Sequence, residues 1–246
     1  MTHARVPVMV ALAAAAAVLL GITLSRASGD PGDVDPVDGE GLRALAVPAA
    51  PPLRPPADLR PDPPAPRPPK IHWRDSVAVG LPYAGRLVRG VRVPAEGRVF
   101  FTWDPILKRS PNRSWRRWGT DELVRTTLRV IRAFALDNPG APRVAIGDMS
   151  RPRGGDFGKR YGGIGHASHQ NGLDADVYYP RLDRHERAPL RPRQVDLALA
   201  QDLVDRFVAA GAQKVFVGPR LDLHGPPGIV QPLVNHDNHL HVRLRG

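Results

Sequence analysis

The chain has 246 residues, 42% of them hydrophobic, no cysteine, and a formal charge of +11 at neutral pH. That suits one ordinary core with appended segments, and the absence of cysteine excludes disulfides, zinc–thiolate sites and thiol nucleophiles. Any metal must then be held by histidine and carboxylate. Residues 1–70 carry seven Lys+Arg and seven Asp+Glu, so the whole positive surplus falls on residues 71–246. Such a surplus suits an acidic polymer such as a cell wall, anionic lipid or nucleic acid, and equally a plainly solvated basic surface.

At the N-terminus, Val6–Ser25 runs without a charge between Arg5 and Arg26. Residues 1–27 read as an export signal, with a small-x-small cleavage site at Ser25-Arg26-Ala27, or as an uncleaved membrane anchor through 6–25. Both readings send the rest of the chain to the periplasm or another extracytoplasmic space. Residues 28–70 follow, and thirteen of the 28 prolines fall between Pro31 and Pro69. This composition forms neither ladder nor helix and predicts an extended spacer. The folded domain is expected over 71–246.

Within it, "VFFTW" (99–103) predicts a buried strand. A helix is predicted from Thr120, its cap, to the Asn138-Pro139-Gly140 stop, with Val124, Leu128, Ile131 and Ala135 as its buried stripe. "RVAIGDMS" predicts a strand with Val144, Ile146 and Asp148 on one face, and "LDADVYYP" another. A second helix is predicted over about Pro192–Ala210, then a short strand at "KVFVG". In the closing "HLHVRLRG", Leu240, Val242 and Leu244 alternate with His239, His241, Arg243 and Arg245, so one face is apolar and the other carries both histidines.

Six of the nine histidines lie in or beside two groups: His166 and His169, then His224, His236, His239 and His241. Strand residues two apart point the same way about 7 Å apart, which suits adjacent roles around one ion for His239 and His241. Asp174 and Asp176 share a face by the same rule, and Gly172 lets the loop from His169 fold back toward them. An imidazole, a carboxylate and a second imidazole make a suitable zinc set with the fourth position open, as a catalytic site requires. There is no HExxH, GxSxG or GxxxxGK[ST]. Nucleic acid is not expected as a partner: no binding motif is present, aromatics are few and the export segment argues against it.

His169-x6-Asp176 followed by His239-x-His241 resembles the zinc signature of the lysostaphin, D-Ala-D-Ala peptidase and hedgehog-type superfamily. More narrowly, "IGDMSRPRGG", "GHASHQNGLDADV" and "NHDNHLHVRLR" resemble the penicillin-insensitive murein endopeptidases of the MepA type, over roughly residues 75–245. The resemblance implies an α+β fold, a small central antiparallel sheet flanked by helices with one Zn2+ on the sheet face. It implies His169, Asp176 and His241 as metal ligands, His239 and His236 as catalytic histidines, and His166 as a residue lining the site. Asp148 is expected in a supporting role; Asp174 either orients a ligand or caps a loop. D-Ala-D-Ala peptidases often place a glutamate just before HxH, whereas "VNHDNHLH" has none, so the base is expected at His236 or His239, with Asp237 as an outsider. The implied activity is zinc-dependent hydrolysis of D-amino-acid cross-links between peptidoglycan stem peptides. The alternatives are a D,D-carboxypeptidase and a non-catalytic zinc-containing wall-binding domain. Arg151, Arg153, Arg243 and Arg245 are either carboxylate binders or solvated surface.

Overall fold

The computed structural model describes residues 70–158 and 167–246. The expected export segment, nearly all of the expected spacer and His166 lie outside those residues. No helix among the described residues is long and apolar enough to cross a membrane.

A hairpin comes first, β1 (Val77–Leu81) against β2 (Ala84–Val88), followed by β3 (Val91–Arg92) and β4 (Phe100–Thr102). β5 (Trp118–Gly119) leads into helix α1 (Asp121–Asp137), then β6 (Val144–Ile146) and β7 (Asp174–Tyr178). Helix α2 (Leu197–Ala209), β8 (Lys214–Val217), β9 (Val230–Pro232) and β10 (His239–Arg243) complete the chain. Six strands form one sheet in the order β4-β6-β7-β10-β8-β9. Its inner pairings are antiparallel, but the outermost pairs, β4 with β6 and β8 with β9, are parallel. The sheet is therefore mixed, which corrects the antiparallel expectation. Parallel neighbours need a long crossover, and residues 103–143 with α1, and 218–229, supply the two. Pro232 lacks an N–H and sits on the edge strand, where none is needed.

Both helices cover one face of the sheet. Leu123, Ile131 and Phe134 of α1 and Leu203, Val204 and Phe207 of α2 pack with Val144, Ile146, Ala175, Val177, Val215, Leu240 and Val242. Each fully buried large side chain contributes about 1.5–3 kcal/mol. The helices are tied to each other where Asn138 donates to Asp202 at 2.7 Å and Arg206 pairs with Asp137 at 2.9 Å. The α1 stripe is centred on Leu123, Thr127, Val130 and Phe134, while Leu128 and Ala135 of the expected stripe are half-buried, because two packed neighbours rotate the helix's buried arc. α2 begins at Leu197, not Pro192: residues Pro192–Gln194 form a separate 3-10 turn, and Asp196 caps the helix by accepting from Leu199 N–H at 3.2 Å.

The hairpin clamps the segment that enters β7. Pro82 accepts from Gln170 N–H at 2.9 Å, Gly80 accepts from the Asn171 side chain at 3.1 Å, and Gly155 N–H donates to Gln170 at 2.8 Å. Gly172 has φ +80°, and a Cβ there would lie 2.7 Å from Leu87 Cδ1. Its carbonyl also accepts from the N–H of Thr120, the α1 cap, at 2.9 Å.

Thr120→Ala removes the cap whose hydroxyl accepts from Leu123 N–H at 3.1 Å and is expected to destabilise by about 1 kcal/mol in urea unfolding. Gly172→Ala adds left-handed strain of about 1–2 kcal/mol and the Leu87 clash, so its midpoint is expected to fall further than that of Thr120→Ala.

Candidate metal centre

The sheet face opposite the helices carries the chemistry. By the two-residue period, Asp174, Asp176 and Tyr178 of β7 and His239, His241 and Arg243 of β10 point there. The register sets them directly opposite one another: His239 faces Tyr178, His241 faces Asp176, and Arg243 faces Asp174. His241 also faces Phe216 of β8.

His169 arrives from the clamped loop. Asp176 Oδ1 lies 3.4 Å from His169 Nε2 and 3.2 Å from His241 Nδ1. The three side chains are buried, and their candidate ligand atoms all lie within 4.8 Å of one another. The donor set fits a divalent ion of the zinc type: two imidazole nitrogens, one carboxylate oxygen and no thiolate. His169 itself has φ +70°. A non-glycine residue there stores about 1–3 kcal/mol, which the hairpin clamp sustains.

The surroundings orient these donors. His241 Nε2 donates to Asp174 Oδ1 at 2.7 Å, which fixes its tautomer and turns Nδ1 toward Asp176. Arg243 Nε donates to the same oxygen at 2.7 Å. Asp174 also accepts from the His169 backbone N–H at 3.4 Å, so its contacts fit both readings, orienting the His241 ring and capping the loop. Burial alone raises the Asp174 carboxyl, but the His241 hydrogen bond and the charges of His241, His169 and Arg243 outweigh it and hold the group at about 2. Burial alone lowers the His241 imidazole, but Asp174 and Asp176 on its two sides raise it to about 9.

Two more imidazoles stand beside the trio. His236 lies over His239 with ring centroids 4.8 Å apart and 5.8 Å from that of His241. Its Nδ1 donates to the Val234 carbonyl at 2.8 Å, leaving Nε2 as an acceptor in the neutral form, and burial lowers its pKa. His239 Nδ1 donates to Asn238 Oδ1 at 2.7 Å, and its Nε2 lies 3.6 Å from Asp176 Oδ1. Tyr178 packs on His239 at 5.6 Å, Phe216 on His241 at 5.6 Å, and Phe157 on His169 at 6.3 Å. Phe216 was not among the expected site residues, although the alternation in "KVFVG" separates it from Val215 and Val217.

Other expected residues fall elsewhere. Asp148 does not share a face with Val144 and Ile146, because β6 ends at Ile146. It is fully buried against Arg116, its Oδ1 2.6 Å from Arg116 Nε, and accepts from Asn112 at 3.0 Å. Its carbonyl receives Asp176 N–H at 2.8 Å, so its support for the site is indirect. Nothing local in the sequence marks Arg116 as buried. Asp237 pairs with the exposed Arg220 at 2.6 Å. Arg243 pairs with Asp174 through its Nε. His224 is exposed and pairs with Asp222 at 3.0 Å, outside the cluster.

A profile of the penicillin-insensitive murein endopeptidase family matches residues 78–219. That span contains His169 and Asp176 but ends before His236, His239 and His241, which the sheet register brings to the same place. Among curated relatives, penicillin-insensitive murein endopeptidases from Escherichia coli O157:H7 (strain EC4115) and from E. coli O1:K1 are each 33% identical over 156 residues, covering 53% of this chain. The alignment covers 54% of each relative, so the chain spans about half the length of the relatives it matches.

Without metal, His241 stays protonated below about pH 9. Because an ion needs the Nδ1 lone pair, metal uptake at pH 7 is expected to release a proton, and affinity to rise about tenfold per pH unit before flattening above the His241 pKa. Calorimetry in two buffers of different ionisation enthalpy measures this; uptake without proton release would exclude His241 as a ligand. Asp174→Asn is expected to weaken metal affinity about 10–100-fold, read by competition with a chelator.

Proposed function

The chain belongs to the penicillin-insensitive murein endopeptidase family, and on that premise we propose that it hydrolyses peptide cross-links of peptidoglycan with a zinc ion held by His169, Asp176 and His241. The observation that carries this reading is the buried His–Asp–His trio with two further imidazoles beside it on one sheet face. Zinc in such a site acidifies water and polarises a carbonyl. The chain's own groups supply the proton transfers. His236, kept neutral by burial and with Nδ1 tied to Val234, takes the proton of the attacking water at Nε2. His239, with Nδ1 tied to Asn238, would act as the imidazolium whose Nε2 gives its proton to the leaving amine, and the proton that His236 took from water would restore it. Asp174 holds the His241 ring, and the hairpin clamp holds His169.

The absence of a glutamate from "VNHDNHLH", together with the pairing of Asp237 with Arg220, favours an endopeptidase using histidine over a glutamate-dependent carboxypeptidase. In this reading residues 71–246 form the catalytic unit, and residues 1–27 and 28–70 deliver it to the wall outside the cytoplasm. His166, three residues before His169, is proposed to line the cleft. Peptidoglycan, not nucleic acid, is the polymer it meets.

Metal-loaded full chain is expected to convert cross-linked muropeptide dimers to monomers; loss of free D-Ala from uncross-linked peptides instead would point to the carboxypeptidase. His169→Ala is expected to abolish stoichiometric zinc by elemental analysis. His239→Ala is expected to keep the metal and lose about 10²–10⁴-fold in turnover. Because the His236 pKa lies below the ordinary histidine value, kcat/KM is expected to be flat through neutrality and to fall only in acid. An acid limb centred above neutrality would exclude His236 as the base.

A further inference from the structure

Part of the positive surplus lies outside the metal centre and is concentrated in one place. A hollow of about 240 Å³ is lined by Lys70, Arg74 and Arg92 around Trp118. A second, of about 440 Å³, adjoins it through the shared Arg74 and Trp118 and adds Arg86, Arg89 and Arg153. No Asp or Glu lines either hollow. None of these six cations forms an ion pair with a carboxylate among the described residues.

Internal contacts leave these charges uncompensated. The Arg89 guanidinium donates to the carbonyls of Arg74 and Asp75, at 3.2 Å and 2.7 Å, which anchors the 74–75 segment without neutralising it. The nearby Asp121 is engaged by Ser76 and by the Arg74 N–H at 3.0 Å. Arg92 lies over the Trp118 ring at 5.8 Å. Buried Arg117 has its pKa lowered by burial and then by the charge of Arg92, as expected where cations crowd without an anion. Five of the six are arginines, whose planar forks match carboxylates two bonds at a time.

The cleft is separate from the metal centre yet joined to it. It shares no lining residue with the trio, but Leu87, in its wall, packs where a Cβ on Gly172 would sit, in the segment that carries His169.

We propose that this cleft is an anchoring site for the carboxylates of peptide stems along a peptidoglycan strand, outside the bond being cut. The inference rests on the proposed murein substrate. A polymer that repeats its anions lets one stem sit in the cleft while another is presented to the metal centre, so binding there raises the local concentration of cross-links.

The test compares the full chain with Arg74→Gln/Arg86→Gln/Arg92→Gln, all exposed positions, after thermal melting confirms equal folding. Co-sedimentation with insoluble sacculi is expected to weaken at least about fivefold in the triple variant and to lose most of its salt dependence. Sacculi whose carboxylates are amidated are expected to bind neither protein. Hydrolysis of a soluble muropeptide dimer is expected to be equal for both, while hydrolysis of sacculi falls in the variant. Unchanged sedimentation of the variant would overturn the proposal. So would undiminished binding of amidated sacculi with competition by a phosphodiester polymer, which would assign the cleft to phosphate. If neither protein cuts the dimer but sacculus binding still depends on the three arginines and the carboxylates, the hydrolytic reading fails and the cleft stands.

Discussion

The pairing of β7 with β10 is the constraint on which the site depends. It places His241 opposite Asp176 and Arg243 opposite Asp174. These residues are adjacent only through this register, since His241 follows Asp176 by sixty-five positions in the chain. A slip of one residue would turn the imidazoles into the helix-facing core and expose Leu240 and Val242. The hydrophobic pack beneath β10 therefore selects the register that aligns the polar face above it. One choice by the core fixes both the fold and the spacing of the candidate ligands.

Burying several charges on that face requires compensation. Asp174 sits between His241 and Arg243, and Asp148 between Arg116 and Asn112. Removing one member of such a buried pair costs about 3–5 kcal/mol, because the remaining charge is left in a poor solvent. The two groups do different work. Asp174 holds the His241 ring directly, whereas Asp148 fixes the backbone that leads to Asp176. The hairpin clamp adds a third restraint by holding His169 in a left-handed conformation. A metal needs its donors converged in advance, and these restraints supply that convergence from three parts of the chain.

Much of this was legible in the sequence where the signal is local. The Thr120 cap and the Asn138-Pro139-Gly140 stop bound α1, and alternation in "HLHVRLRG" separated the polar from the apolar face of β10. Sequence and structure part where a local rule is extended past its element. β6 ends at Ile146, so the strand period does not reach Asp148, and Pro192 imitates a helix start in what is a separate 3-10 turn. Nothing in the sequence marks the hairpin β1–β2, because both its faces are partly exposed and its strands, VAVGL and AGRLV, do not alternate polar with apolar residues. The parallel edge pairs follow from crossover connections, not from any residue pattern. Arg116 and Phe216 join the site's surroundings through packing that no neighbour in the chain announces.

The central claim is that His169, Asp176 and His241 together hold one ion. The most direct measurement is anomalous diffraction at the zinc edge from crystals of the metal-loaded protein. The account predicts a single peak about 2.0–2.2 Å from His169 Nε2, an Asp176 carboxylate oxygen and His241 Nδ1. A peak bound instead by His236 and His239, or none on this sheet face at full metal loading, would contradict it.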